Sequence, residues 1–237
     1  GVLSNAPSFD TVCLLSHDVT TPTHSAALEC DGWRGHAEQR PDRHPVLGIP
    51  DGPYLELATA EARLAYARHV ERLRETGYAV RPIPALTDIA DVIQRNNLIN
   101  LVELARTHES WFATYEDRYR EQSATAIREG QRIAPEAYER ALTERKEYAA
   151  ALVAQMDAEG VDAWVAPAAT GPAPAGLDTT GSPLMNLPWT QARLPVVGVP
   201  AGVAANGLPL GVQFAGRPGA DEELLRWAAD LGHTLAT

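Results

Sequence analysis

Two apolar runs near the C-terminus, Val196–Ala204 and Leu210–Ala215, flank the dipeptide Asn206-Gly207. Their β-branched residues favour extended backbone, and Asn-Gly supplies the positive φ values that a tight hairpin turn needs. Pro209 follows the turn, a position where a strand can start without its N–H. The two runs are therefore predicted to pair as an antiparallel hairpin. Asp221, Glu222 and Glu223 then place negative charge where it favours the start of a helix. Leu224, Leu225, Ala228, Leu231 and Leu235 give that helix an apolar stripe.

Upstream, Val46–Ile49 is a short apolar run bounded by prolines and reads as a buried strand. Thr59–Glu75 reads as a helix stopped by Gly77, and Tyr78–Ile83 as a second strand. This strand–helix–strand order favours a parallel pair. Helical character continues from Asp88 to about Arg120, with a break expected near Arg106–Ser110. Pro135 and Gly160 sit where a first-turn proline and a C-terminal glycine belong. Between them Tyr138, Leu142, Ala149, Leu152, Val153 and Met156 recur at helical spacing. Asp162–Pro167 reads as another buried strand, and residues 168–183, rich in Ala, Pro, Gly and Thr, as a loop. A long loop inside a compact domain is more often functional than idle. Residues 1–45 are expected to be irregular, with a short helix or turn around Asp10–Val19. The fold class is thus α/β, a mixed sheet flanked by helices.

Composition limits the function classes. The formal net charge is −11 and Lys146 is the sole lysine. An acidic chain with no basic tract argues against nucleic acid and against anionic membrane as partners. Cys13 and Cys30 make no disulfide framework and show no metal spacing. His17, His24, His36, His44, His69, His108 and His233 are scattered without a zinc-type pattern. No metal or other cofactor is expected. With no signal-like or membrane-spanning run, the expected setting is cytoplasmic. The chain opens on Gly1 and not on Met, which points to residues upstream.

The run from Gly181 to Leu225 resembles the C-terminal signature of the amidase signature family. That signature comprises an Asn-containing helix, a Leu-Pro strand, a Pro-x-Gly turn, a Gly-Leu-Pro hairpin, a Gly-x-Gln strand and an acidic helix start. The chain matches it with Asn186, Leu194-Pro195, Pro200–Gly202, Gly207–Pro209, Gly211–Gln213 and Asp221-Glu222. A weaker match lies at Ser8–Val19, where Ser8, Asp10, Thr11 and Val19 agree with a Ser-x-Asp-Thr-x-Gly segment and the Ala-Arg-x-Val segment after it. Cys13 and His17 stand where that pattern has Gly and Arg. The resemblance implies that residues 1–237 are a single partial domain, the C-terminal half of the amidase signature fold.

The family hydrolyses carboxylic amides through an acyl-enzyme. It uses a serine nucleophile, a second serine in a cis peptide, a lysine base and a Gly/Ser-rich loop that stabilises the oxyanion. A serine hydroxyl needs a base to become nucleophilic, and the developing oxyanion needs aimed donors. The chain contains no Gly/Ser-rich loop, and Lys146 lies among Glu144, Arg145 and Glu147, a pattern that reads as a solvated face. No catalytic residue is therefore assigned, and the chain alone is expected to lack the catalytic Ser-Ser-Lys. Ser16 and His17 are adjacent and read as a loop pair.

By resemblance, Asp10 and Thr11 lie near the serine loop and could support it; an Asx or ST turn would account for them equally. Asn186 and Trp189 could wall a substrate pocket, against helix capping and core packing as the alternatives. Substrate choice is assigned to the loop at 168–183. The expected ligand is a small-molecule amide bound by the complete enzyme. Two other readings remain: a non-catalytic amidase-like remnant or partner-binding module, and the amidotransferase A subunit that acts on charged tRNA. Oligomeric state is unconstrained.

Overall fold

The computed structural model describes residues 3–35 and 43–236. Strands β1 (Val46–Asp51), β2 (Ala79–Pro84), β3 (Ala163–Pro167), β4 (Val196–Val203) and β5 (Pro209–Gly216) form one sheet in the order β2-β1-β3-β5-β4. β1 is parallel to β2 and to β3, whereas β5 runs antiparallel to β3 and β4. The expected mixed sheet is present. Helices α1 (Thr20–Glu29), α2 (Pro53–Glu56) and α3 (Ala60–Glu75) come first in the chain. α4 (Ile89–Thr107), α5 (Glu109–Tyr115), α6 (Glu121–Arg132) and α7 (Pro135–Glu159) follow, then α8 (Leu187–Ala192) and α9 (Asp221–Ala236).

Alternation along the strands divides the core between two faces. On β3 the buried Ala163 and Val165 join Leu47, Ile49, Tyr66, Val70, Phe214, Trp227 and Leu231 beneath α3 and α9. Trp164 and Ala166 point the other way, to Tyr54, Val92, Leu152, Met156 and Trp189 beneath α2, α4, α7 and α8. β3 has a paired strand on each side and helices on both faces, so all five of its residues are buried. The sheet edges are β2 and β4, and they carry Pro82, Pro84 and Pro200. A proline is tolerated at an edge because its missing donor faces no neighbouring strand.

Local chemistry accounts for the element ends. Thr59 caps α3, its Oγ1 accepting from Ala62 N at 3.2 Å, and Gly160 closes α7 in the left-handed conformation with φ +59°. The break expected near Arg106–Ser110 falls at His108, between α4 and α5. The hairpin turn differs from the sequence expectation. Gly207 takes φ +81° but Asn206 is not among the residues with positive φ. Its side chain instead accepts from Leu208 N at 3.1 Å, closing a longer loop over residues 204–208.

Two further differences concern helices. The irregular segment 1–45 contains α1, while of Asp10–Val19, where a short helix or turn is expected, residues 10–16 hold no regular element and residues 17–19 only a bend. α6 was not anticipated. It packs on α4 where Gly130 meets Leu101 backbone to backbone, a contact that only long-range structure creates.

Asp162 fastens the start of β3 to the start of β1. Its carboxylate accepts from Arg43 Nη1 at 2.6 Å and Nη2 at 2.7 Å, and from Val46 N at 2.8 Å. Burial alone would raise its pKa. The Arg43 guanidinium and the Val46 N–H more than offset that, holding it below the usual carboxylate value. A group with a depressed native pKa stabilises the fold above its unfolded value, and this contribution is lost as pH falls through the native one. Stability measured by urea titration should therefore drop between about pH 5 and about pH 2. Asp162→Asn should be less stable at neutral pH and show a flatter slope in that window. An unchanged slope would refute the assignment.

Candidate functional site

In α/β sheets ligands collect at the carboxyl ends of the parallel strands. Here β1 ends at Asp51 and β3 at Pro167, and the chain entering α8 crosses beside them. Tyr54, fully buried just after β1, donates its hydroxyl to Met185 O at 2.7 Å. Gln213, on the inner side of β5, donates Nε2 to Pro167 O and to Met185 O, both at 2.8 Å. Two side-chain donors thus hold one carbonyl and fix the approach to α8. Burial, the largest of several influences, pushes the Tyr54 phenol well above its ordinary value, so it remains a donor.

Trp189 lies beneath this approach, 1% exposed, with its ring edge-on to Tyr54 at 5.7 Å and stacked on Trp164 at 6.5 Å. Packing accounts for its ring. Its Nε1 is buried without a hydrogen-bond partner among the described residues. Asn186 is exposed at the N-cap of α8, and its side chain makes no capping bond. Helix capping therefore does not explain it.

A second set of buried polar groups ties the two stretches of family resemblance together. Arg145 donates Nε to Gln191 O at 3.0 Å and Nη2 to Ser8 O at 2.8 Å, and its guanidinium lies 4.5 Å over the Phe9 ring. The sequence pattern places Arg145 on a solvated face beside Lys146. The structure corrects this: Lys146 is exposed, but Arg145 is 7% exposed and bridges α7, α8 and the segment at Ser8. Burial lowers its pKa, and the nearby charge of Arg193 lowers it further.

Glu103, buried on α4, accepts from Ser8 N at 2.7 Å, from the Ser8 hydroxyl, and from Tyr138 OH at 2.8 Å. This pairs a serine with a carboxylate, but not in a form suited to acyl transfer. The carboxylate already receives three donors, one of them the backbone N–H of the same serine, so its role is to anchor the segment. The sequence marked Gln213 as part of the Gly-x-Gln strand without a role for it, and did not single out Glu103 or the inward-facing Arg145. Glu103, within Leu101-Val102-Glu103-Leu104-Ala105, and Gln213, within Val212-Gln213-Phe214-Ala215, are polar residues inside apolar patterns, and that irregularity was the available signal. Arg145, in a charged run, carries no such mark.

Asp10 gathers Ser4 Oγ at 2.6 Å, Asn5 N at 2.7 Å and Ala6 N at 3.1 Å. These contacts, the Ser4 hydroxyl foremost, hold its pKa below the usual value despite desolvation. They close a loop over the preceding residues 4–10, in contrast to an Asx turn, where the side chain bonds the backbone that follows it. Thr11, Cys13 and His17 are exposed, and the Ser16 hydroxyl bonds to Asp18 O, not to His17. His36 lies outside the described residues. Among the described residues no group of three or more His, Cys, Asp or Glu could hold a metal ion. No described helix is long and apolar enough to cross a membrane.

Two cavities flank these elements. One of about 40 Å³ lies where β3 ends, lined by Tyr66, His69, Pro167, Ala201 and Gly211 among others; it is of the size of one or two waters. Burial is the first of the influences that depress the pKa of His69 there, with Arg72 and Arg68 contributing. The other, an open cleft of about 320 Å³, lies over Ser8, Glu103 and Tyr138.

The sequence profile described as "Amidase" matches residues 10–225. The glutamyl-tRNA(Gln) amidotransferase A subunit of Roseobacter denitrificans is 27% identical over 240 residues, covering 91% of this chain and 48% of that protein. Among solved structures, one titled "Crystal structure of amidase" aligns with a TM-score of 0.80 at 24% identity, over 93% of this chain and 52% of that one. The native peptide amidase from Stenotrophomonas maltophilia aligns with a TM-score of 0.74 at 20% identity, over 100% of this chain and 56% of its own. The chain spans about half the length of each of these proteins. At these identities the solved structures speak for the fold, and they share the helix-flanked mixed sheet found here. Because the profile runs through nearly all of the chain, from Asp10 to Leu225, this polypeptide belongs to the amidase family.

Proposed function

We propose that the complete protein hydrolyses a carboxylic amide through a serine acyl-enzyme, and that residues 1–237 supply scaffold and pocket wall without the catalytic Ser-Ser-Lys. The observation that carries this reading is the family match over residues 10–225 in a chain whose sole lysine is exposed on α7. In the reaction a serine Oγ bonds to the amide carbon as a base takes its proton. Collapse breaks the C–N bond and returns the proton to the departing amine. Water then splits the ester, releasing the acid and restoring the hydroxyl.

In this reading Asn186 presents its uncapped amide at the pocket wall, and Trp189 gives that wall a rigid backing. Asp10 holds the turn that carries Thr11, and through it supports the serine loop. The ligand is a small amide, with selectivity set by residues 168–183.

The test compares residues 1–237 with the full product of the coding sequence on simple aryl and aliphatic amides. The longer product, carrying a lysine and a Gly/Ser-rich loop, should turn over amides and lose activity to a serine-directed reagent. Residues 1–237 alone should not. Turnover by residues 1–237, abolished by the same reagent, would overturn the proposal. A full product with neither feature would favour a non-catalytic remnant.

One observation favours a second reading. The curated relative from Roseobacter denitrificans is named as an amidotransferase A subunit. In that case the amide would be glutamine and the amine acceptor a charged tRNA. The net charge of −11 gives no help to tRNA contact by residues 1–237. Glutamine hydrolysis that depends on charged tRNA would distinguish this reading from a free-standing amidase.

A further inference from the structure

Of the side chains lining the open cleft of about 320 Å³, Glu103 is the one carboxylate, and Arg106 and Arg193 are the two cations. Glu103 is buried at the floor and accepts from Ser8 N, the Ser8 hydroxyl and Tyr138 OH, so its oxygens are already engaged by donors within the fold. Arg106 lies with its guanidinium 4.2 Å over the Tyr138 ring, which fixes it at the rim. Arg193, exposed, follows α8 at φ +54°, a conformation that non-glycine residues rarely hold. Neither arginine has a carboxylate partner among the described residues. Arg145 lies behind Ser8, bonded to its carbonyl. The cleft therefore presents two guanidinium groups at its rim against one carboxylate already engaged at its floor, with a third guanidinium, Arg145, behind Ser8.

From this juxtaposition we infer that the cleft between Ser8, Glu103, Tyr138, Arg106 and Arg193 is a binding site for a compact oxyanion, a phosphate or carboxylate group. The two rim arginines would grip the anion with charge-assisted hydrogen bonds, which are the strong ones. Arg106 is held ready by its aromatic seat, so little side-chain entropy is lost on binding. The Arg193 charge already opposes that of Arg145, and an anion at the rim relieves that repulsion. The Thr107 hydroxyl, on the same wall, is an available further donor. The residues that line it are not those of the Tyr54–Met185–Gln213 junction, and anion binding is read without reference to amide turnover.

The test uses residues 1–237, titrated by calorimetry with sodium phosphate and separately with sodium succinate, ionic strength being held constant with sodium chloride. Saturable binding of either anion is expected, and the stronger of the two identifies its source. Arg193→Gly removes a rim charge and places glycine where φ is positive, so this variant should fold at least as well as the parent. Arg106→Gln removes the other charge at an exposed position. Each should weaken binding roughly tenfold or more. Absence of saturable binding to both anions, or binding that persists unchanged in both variants, would overturn the inference.

Discussion

Replacing Trp164 with alanine is expected to destabilise the fold by about 3–5 kcal/mol, the range for removing a large buried aromatic. Against a total of about 5–15 kcal/mol for an ordinary domain, that would leave little margin. Trp164 is fully buried on the central strand, stacks on Trp189 and packs in the cluster with Tyr54, Val92 and Met156. Room for its ring comes from the neighbouring strand. A Cβ at Gly48 would lie 3.0 Å from two Trp164 ring carbons and 3.0 Å from Val161 Cγ1. Gly48→Ala should therefore cost stability in the parent and cost far less once Trp164 is alanine, because residues in contact are not additive. Urea unfolding of both single variants and the double variant, followed by far-ultraviolet circular dichroism, measures this. Strict additivity would show that the ring does not depend on Gly48.

Gly130→Ala should be comparably damaging through the opposite defect. Its Cβ would fall 2.0 Å from Leu101 O, 2.6 Å from Leu101 C and 2.9 Å from the Ala105 Cβ. The obstruction is backbone, which cannot rotate away, so α6 would have to move off α4. The cost is expected to reach or exceed the upper end of the roughly 1–3 kcal/mol usual for overpacking. The small core of Ala105, Phe112, Ala124 and Ile127 would open with it. In an ordinary exposed helix Gly→Ala is stabilising by up to about 1 kcal/mol, so even the sign of the effect separates the two cases. Thermal unfolding at or above the parent temperature would rule out the close approach.

These two sites show why function and fold differ in how far the sequence discloses them. The strand at Asp162–Pro167 and the parallel pair around Thr59–Glu75 were legible because each rests on a local pattern: an apolar run, a cap, a stop. The family signature was legible for the same reason, being concentrated between Gly181 and Leu225. The role of Arg145 was not legible. Its neighbours in sequence are Glu144 and Lys146, and nothing in that charged run marks the one member that turns inward. The cluster of Ser8, Glu103, Tyr138 and Arg145 draws its members from the N-terminal segment, α4 and α7, with sequence separations of 95 and 137 for two of its hydrogen bonds. For Asn186 the sequence offered a pocket wall or a helix cap; only coordinates show an exposed amide without a capping bond.

By itself the sequence determined the order and kind of most elements, the mixed sheet, the family, and the absence of a Gly/Ser-rich loop within these residues. All are properties of short windows, where periodicity, turn chemistry and motif spacing act between near neighbours. Tertiary structure alone decided that α6 exists against α4, that Arg145 joins the two signature stretches, and that Arg106 and Arg193 share a cleft. Each of these depends on groups from different elements being brought together; for α6 on α4 and for Arg145 the meeting excludes water, and there the cost of burying a charge or a backbone donor selects the partner.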